Sequence, residues 1–303
     1  MNRRRFIQLA ATGLGMAGIP SLRASPGGAP LRKPIPSTGE VIPAIGMGTW
    51  VTFNIGDDAV ARAQRTEVLR TFFAQGGGMI DSSPMYGSAE AVIGQALAQL
   101  GPTPGLFSAT KVWTSSGDDG PDEIETSRRL WGIERFDLLQ VHNLLAWERH
   151  LETLFDMKER GELRYVGITT SHGRRHAELL QVMRDWPIDF VQATYNILDR
   201  DVEREILPLA AERGIAFIAN RPYRRGSLID FAKRHPLPDW ACEIDCRHWA
   251  AFLLKFIVSH PAVICAIPAT SRVDHMIENM GAMHGRLPDA ATRERMVAYV
   301  AGL

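Results

Sequence analysis

Charge of one sign is what this chain most plainly lacks: 34 Lys and Arg stand against 34 Asp and Glu, a formal net charge of zero over 303 residues. Without a basic excess there is no electrostatic footprint for nucleic acid, and none is expected as a partner. Cysteine is scarce too, with three in all. Cys242 and Cys246 can pair only where the local backbone allows it, and Cys265 lies inside the apolar run VICAIP (263–268) as core packing. Their spacing lacks the further ligands of a zinc site, so no metal is expected. The N-terminal apolar run LAATGLGMAGIP (9–20) is too short to span a bilayer. What is present is a 45% hydrophobic composition on a length that can bury a large core. One α/β barrel with a leader accounts for the chain without a second domain.

The leader differs in kind from the rest. Arg3-Arg4-Arg5-Phe6-Ile7-Gln8 ahead of the apolar run resembles the twin-arginine export signal. Ala24-Ser25 is the expected cleavage point, with Leu22 where a small residue is usual, and SPGGAP (25–30) reads as a flexible tether. The expected organisation is a signal over 1–24, a linker over 25–34 and a barrel over 35–303. Substrates of this route cross the membrane folded. The expectation is a periplasmic protein, with the twin-arginine machinery as its partner in transit and no stable membrane association after cleavage.

Short apolar runs then alternate with helical stretches to the C-terminus. Strands are predicted near 44–48, 78–81, 106–110, 136–141, 164–169, 189–194, 215–219 and 263–267. Helices are predicted near 65–76, 88–100, 122–131, 147–160, 174–184, 203–213, 247–259, 272–282 and 289–301. Eight such units predict a TIM (β/α)8 barrel, in which strand C-termini ring one mouth and carry the chemistry. Thr38-Gly39-Glu40 between apolar flanks reads as a hairpin turn. Residues 220–246 form the longest irregular connection, on the side of the barrel where loops bind ligands.

Asp81, Tyr86, Lys111 and His142 lie where apolar runs end, so the barrel brings them to one mouth. Together they suit proton delivery to a carbonyl oxygen while a hydride attacks the carbon. Tyr86 is the expected proton donor, its phenol made more acidic by Lys111. Asp81 would hold the Lys111 ammonium, and His142 would orient and polarise the carbonyl. Taken singly each has an ordinary alternative: a turn cap for Asp81, packing for Tyr86, a satisfied core histidine for His142.

At these residues the sequence resembles the aldo-keto reductase family. IDSSPMYGSAEAVIGQAL (80–97), SATKVW (108–113) and FDLLQVHN (136–143) are similar to the family's catalytic segments, in order and with similar spacing. The likeness extends through STGEVIPAIGMGTW (37–50), GELRYVGITTS (161–171), QATYN (192–196) and IPATSRVDHMIENM (267–280). It implies a barrel whose N-terminal β-hairpin plugs the lower end. It also implies reduction of an aldehyde or ketone, or oxidation of an alcohol, with NADP(H) as cofactor and NAD(H) as the alternative. Trp50 and Trp113 would wall the substrate mouth. A Rossmann domain is not needed, because this barrel binds dinucleotides without one.

The resemblance also places the cofactor. Thr49 falls in the first strand-end segment, and Thr169, Thr170 and Gln192 match positions that hold the nicotinamide carboxamide. Thr170, however, cannot supply the two amide donors of the family's Asn. Asn220 stands where a stacking Tyr is common, and it offers no π face. Arg221, Arg224, Arg225, Gly226 and Ser227 can embrace a pyrophosphate. Thr270 and Ser271 precede a helix N-terminus, Arg272 can meet a 2′-phosphate, and Glu278 and Asn279 match the pair that reaches adenine. Ala269 replaces a common Lys and His275 a common Arg. An exported reductase would also have to keep its cofactor bound, or regenerate it with a second substrate. The alternatives are therefore a redox-neutral enzyme with a tightly held cofactor, and a non-catalytic cofactor-binding barrel.

Overall fold

The computed structural model describes residues 29–303; the expected signal (1–24) and residues 25–28 of the expected linker lie outside the described residues. The described part opens with a hairpin, β1 (Arg32–Pro34) antiparallel to β2 (Val41–Pro43), whose turn carries Gly39 at φ 76°. Strand β1 thus takes up the last three positions of the segment read as linker. There follow β3 (Met47–Gly48), α1 (Ala59–Ala74), β4 (Met79–Asp81), α2 (Ala89–Leu100), β5 (Phe107–Val112), α3 (Gly120–Trp131), β6 (Phe136–Val141) and α4 (Trp147–Glu159). The second half runs β7 (Leu163–Thr169), α5 (His176–Asp185), β8 (Phe190–Thr194), α6 (Ile206–Arg213), β9 (Ala216–Asn220), α7 (Ser227–Ala232), α8 (Trp249–Val258), β10 (Val263–Ala266), α9 (Val273–Gly281) and α10 (Ala290–Ala301).

Strands β3 to β10 pair in parallel, each with the next, as the alternation of apolar runs and helices predicts. Bridges of Ile45 with Ala266 and Gly48 with Ala269 close the ring. Two glycines permit that closure. A Cβ on Gly46 would lie 2.9 Å from the Met79 carbonyl oxygen, and one on Gly48 would lie 2.8 Å from that of Ile267.

The lumen is packed solid. Phe107, Tyr165 and Phe190 form an aromatic layer with centroids 5.4–6.0 Å apart, and Ile35 and Ile42 of the hairpin fill its lower end. The hairpin is pinned there as a plug. Tyr165 donates to Glu40 Oε2 at 2.6 Å, Arg164 pairs with the same carboxylate, and the buried Lys33 ammonium donates to the Val263 and His260 carbonyls. A second, larger apolar layer lies between the strands and the helical ring.

Two expectations needed adjusting. Helix α1 begins at Ala59 rather than near 65, because Asp58 caps it by accepting from the Val60 and Ala61 amides. The connection 220–246 is not irregular throughout: it holds α7, which buries Leu228 and Ala232, and a 3-10 turn over Asp239–Ile244. All three cysteines are free, so Cys242 and Cys246 do not pair. Among the described residues no group of side chains is arranged to hold a metal, and no helix is long and apolar enough to cross a membrane.

Candidate active site

Strand ends β4, β5 and β6 deliver Asp81, Lys111 and His142 to the mouth, and a 3-10 turn over Pro84–Tyr86 brings Tyr86 beside them. Lys111 Nζ lies 2.5 Å from Asp81 Oδ1 and donates to the Ser82 carbonyl at 2.7 Å, with both charged side chains buried. Burial alone would discharge the lysine, but Asp81 and then Tyr86 outweigh it and hold its pKa above the ordinary value. The ammonium sits 5.2 Å from the centre of the Tyr86 ring, and the Tyr86 and His142 rings meet edge to face at 5.8 Å. All four residues expected at the mouth are brought together.

Lys111 acts on Tyr86 in the expected direction but does not set the net result. The protein crowding the half-buried Tyr86 raises the pKa of its phenol, and this outweighs the opposing pull of Lys111. The residue is therefore protonated well above neutrality. His142 moves the other way: burial, then the charge of Lys111, lowers its pKa to about 3, so the ring is neutral. Its Nδ1 lies 2.8 Å from Ser83 Oγ.

Behind the pair stands a floor of amides that sequence reasoning largely missed. Asp81 Oδ2 accepts from Gln140 Nε2 and Gln192 Nε2, each at 3.0 Å, and Gln192 Nε2 also reaches Gln140 Oε1 at 3.1 Å. Gln192, assigned by resemblance to the nicotinamide carboxamide, thus spends its donors on Asp81 and Gln140. Its own oxygen accepts from Asn220 Nδ2 at 3.3 Å. Asn220 is buried; it donates to the Thr170 carbonyl at 2.9 Å and accepts from Thr194. It is a node in the barrel wall, not a replacement platform. Gln192 and Asn220 were singled out from the sequence, but for the cofactor; the signal passed over was Gln140, a polar residue inside the apolar strand LLQVH.

The other expected cofactor residues divide. Thr49 donates to the Asp81 carbonyl, and Thr169 Oγ1 accepts from the Asn143 amide, so both brace the mouth. Thr170 Oγ1 is buried with no partner among the described residues. Beyond β9, Arg221, Arg224 and Arg225 hold φ of 53°, 47° and 62°, and Gly226 holds 94°. Non-glycine residues in that region are strained, and such strain gathers at ligand sites. Together with His172 and His176 these arginines line a groove of about 560 Å³. Arg224 is paired with Asp199, Arg221 donates to His172 while its Nε is buried and unpartnered, and Arg225 lies 4.0 Å over the Trp50 ring. Ser227 starts α7 and donates to the Arg224 carbonyl.

Near α9 the Thr270 hydroxyl accepts from the Arg272 amide, and the Ser271 carbonyl accepts from the buried Arg65. Exposed Arg272 is bound through two nitrogens by Asp274. Asn279 is buried and accepts from Tyr223 at 2.8 Å, whereas Glu278 and His275 are half-buried at the same rim. Trp113 is 43% exposed beside His142, with ring centres 6.5 Å apart, and Glu123 accepts from its amide. Trp113 thus lies beside His142, whereas Trp50 packs under Arg225.

With this geometry in view, the comparisons are consistent. A family model described as "Aldo/keto reductase family" matches residues 44–294. The methylglyoxal reductase YeaE of Escherichia coli is 26% identical over 276 residues, covering 89% of this chain and 96% of that protein. An NADH-specific methylglyoxal reductase of the same organism is 26% identical over 252 residues, covering 69% and 72%. A solved aldo/keto reductase from Klebsiella pneumoniae, in complex with NADP and acetate, aligns with a TM-score of 0.72 at 24% identity, covering 86% of this chain and 93% of its own.

Proposed function

The chain belongs to the aldo/keto reductase family and is an oxidoreductase; we propose that it reduces an aldehyde or ketone with NADP(H), Tyr86 protonating the carbonyl oxygen. The observation that carries this reading is the buried Lys111–Asp81 pair, 2.5 Å apart, set behind the Tyr86 ring on the mouth that His142 shares. A phenol kept protonated by burial is available as an acid at neutral pH, and the fixed ammonium stabilises the phenolate that proton transfer leaves. Neutral His142 orients the carbonyl oxygen without competing as an acid.

The cofactor supplies the hydride. Thr170 Oγ1 and Arg221 Nε, both buried and without partners among the described residues, fit groups that a nicotinamide dinucleotide carries: a carboxamide and anionic oxygens respectively. Arg221, Gly226 and Ser227 would take the pyrophosphate. Thr270, Ser271, Arg272, His275 and Glu278 would take the adenosine end. The pairing of Arg272 with Asp274 and the likeness to an NADH-specific relative keep NAD(H) as the alternative. The same reading extends to the leader, for which we propose twin-arginine export to the periplasm. Changing Arg3 and Arg4 together to Lys is expected to leave precursor in the cytoplasm on fractionation, and unchanged periplasmic recovery would refute it.

Single-turnover oxidation of NADPH against a panel of aldehydes and ketones tests the activity. Tyr86→Phe is expected to slow the step by roughly 10²–10⁴, the usual span for losing a general acid, with NADPH affinity unchanged. Wild-type rates in the variant would remove Tyr86 from the acid role. Turnover only when an alcohol and a carbonyl are supplied together, with cofactor retained through purification, would instead indicate the redox-neutral cycle.

A further inference from the structure

His142 can exist in three states, and its surroundings select among them. The imidazolium is excluded near neutral pH by burial and by the charge of Lys111. Two neutral tautomers are left, with the proton on Nδ1 or on Nε2. They differ in what the ring presents to the barrel mouth. Nδ1 faces Ser83 Oγ at 2.8 Å, whereas Nε2 makes no hydrogen bond among the described residues.

Ser83 is fully buried, so its hydroxyl must satisfy itself locally. The hydroxyl has one hydrogen to donate and two lone pairs to accept with. One lone pair takes the Met85 amide at 3.2 Å, capping the turn that carries Tyr86. If His142 Nδ1 carried the ring proton it would donate to the second lone pair. The Ser83 hydrogen would then find no other acceptor among the described residues and would be a buried donor left unmade. If Nδ1 is bare, Ser83 donates to it and every group is satisfied.

We infer that Ser83 holds His142 as the Nε2–H tautomer, making the histidine a hydrogen-bond donor, and never an acceptor, toward the substrate oxygen. Ser83 is thus a positioning residue that acts through His142. The consequence, which rests on the proposed carbonyl chemistry, is directional. A carbonyl oxygen accepts from Nε2–H in reduction. In the reverse direction an alcohol oxygen accepts the same bond by a lone pair, so its own proton can pass only to Tyr86 in its phenolate form.

Nitrogen-15 long-range correlation spectra of histidine-labelled protein read the tautomer directly, with His142→Asn identifying the signals. Wild type is expected to show His142 protonated at Nε2 alone. Ser83→Ala is expected to lose that exclusivity and to slow single-turnover reduction by on the order of tenfold or more, with NADPH affinity unchanged. Ser83→Thr, which keeps the hydroxyl, is expected to recover both. An Nδ1–H ring in wild type overturns the inference. So does a Ser83→Ala protein that is slow but keeps the wild-type tautomer, since Ser83 would then act only as the cap on Met85. If wild type reduces no carbonyl, the functional reading fails, and the spectra still decide the tautomer.

Discussion

On the β4–β6 side of the mouth, the chemically committed side chains are held by fixed protein partners. Lys111 is tied to Asp81 and the Ser82 carbonyl and lies beside the Tyr86 ring; His142 is tied to Ser83, and its Nε2 makes no hydrogen bond among the described residues. On the β7–β10 side the polar side chains mostly satisfy one another. Gln192 binds Asp81, Asn220 binds Gln192 and Thr170, Asn279 binds Tyr223, and Arg272 binds Asp274. The difference follows from the tasks. Proton transfer needs charge and direction fixed before the substrate arrives, whereas a bound dinucleotide is gripped by many contacts, and side chains can exchange internal partners for it.

The sharpest way to break that comparison is to remove the fixed charge. Lys111→Met is expected to slow reduction about as much as loss of the acid itself, roughly 10²–10⁴, measured in single turnover. It leaves Asp81 as a buried charge without its counter-ion, so the fold must be checked by thermal unfolding alongside the rate. The pH profile probes the same side. A general acid must be protonated, and burial raises the Tyr86 pKa, so the rate of reduction is expected to stay level from roughly pH 5 to 9 and to fall only at higher pH. His142, neutral above a pKa of about 3, contributes no inflection in that window. A break near pH 6 to 7, about the ordinary histidine value, would mean that His142 titrates during turnover.

Gln192 tests where the boundary between the two sides falls. By sequence position it belongs with the cofactor, yet its donors go to Asp81 and Gln140. Gln192→Leu removes a hydrogen bond to a buried charge, an interaction of about 1.5–3 kcal/mol, and is expected to slow hydride transfer by roughly tenfold while barely changing NADPH affinity. The opposite result, an unchanged rate with weakened NADPH binding in titration, would return Gln192 to the cofactor.

How much of this was legible in the sequence differs between the two sides for a physical reason. The eight strands announce themselves as apolar runs and Asp81, Lys111 and His142 end three of them, so the fold and three of the four positions are legible, while the tetrad as a set, Tyr86 included, was read through the family resemblance. A hydrogen-bonding role is not legible in this way, because it depends on what stands opposite. Ser83 reads as one polar residue before a proline, and only its 2.8 Å approach to His142 gives it a part. Gln140 and Gln192 converge on Asp81 from β6 and β8, residues far apart in the chain. The start of α1 escaped notice because its first turns are marked by the Asp58 cap rather than by an apolar stripe, and α7 because it is six residues long among charged neighbours.

The smallest expected effect lies at the far end of the cofactor side, where Arg272 was the expected 2′-phosphate contact. Both members of the Arg272–Asp274 pair are exposed, and the pairing raises the pKa of Arg272 and holds Asp274 well below the ordinary carboxylate range. Solvent screens such a pair, so its own strength is modest. It still matters for selectivity, because a 2′-phosphate must draw the guanidinium away from Asp274 and accept a carboxylate beside it, whereas NADH makes neither demand. Asp274→Asn is therefore expected to improve NADPH binding severalfold without changing NADH, and Arg272→Ala to weaken NADPH only slightly, by fluorescence titration of both cofactors. If Asp274→Asn shifts the two cofactors equally, the pair only shapes the start of α9, and neither residue sets the preference.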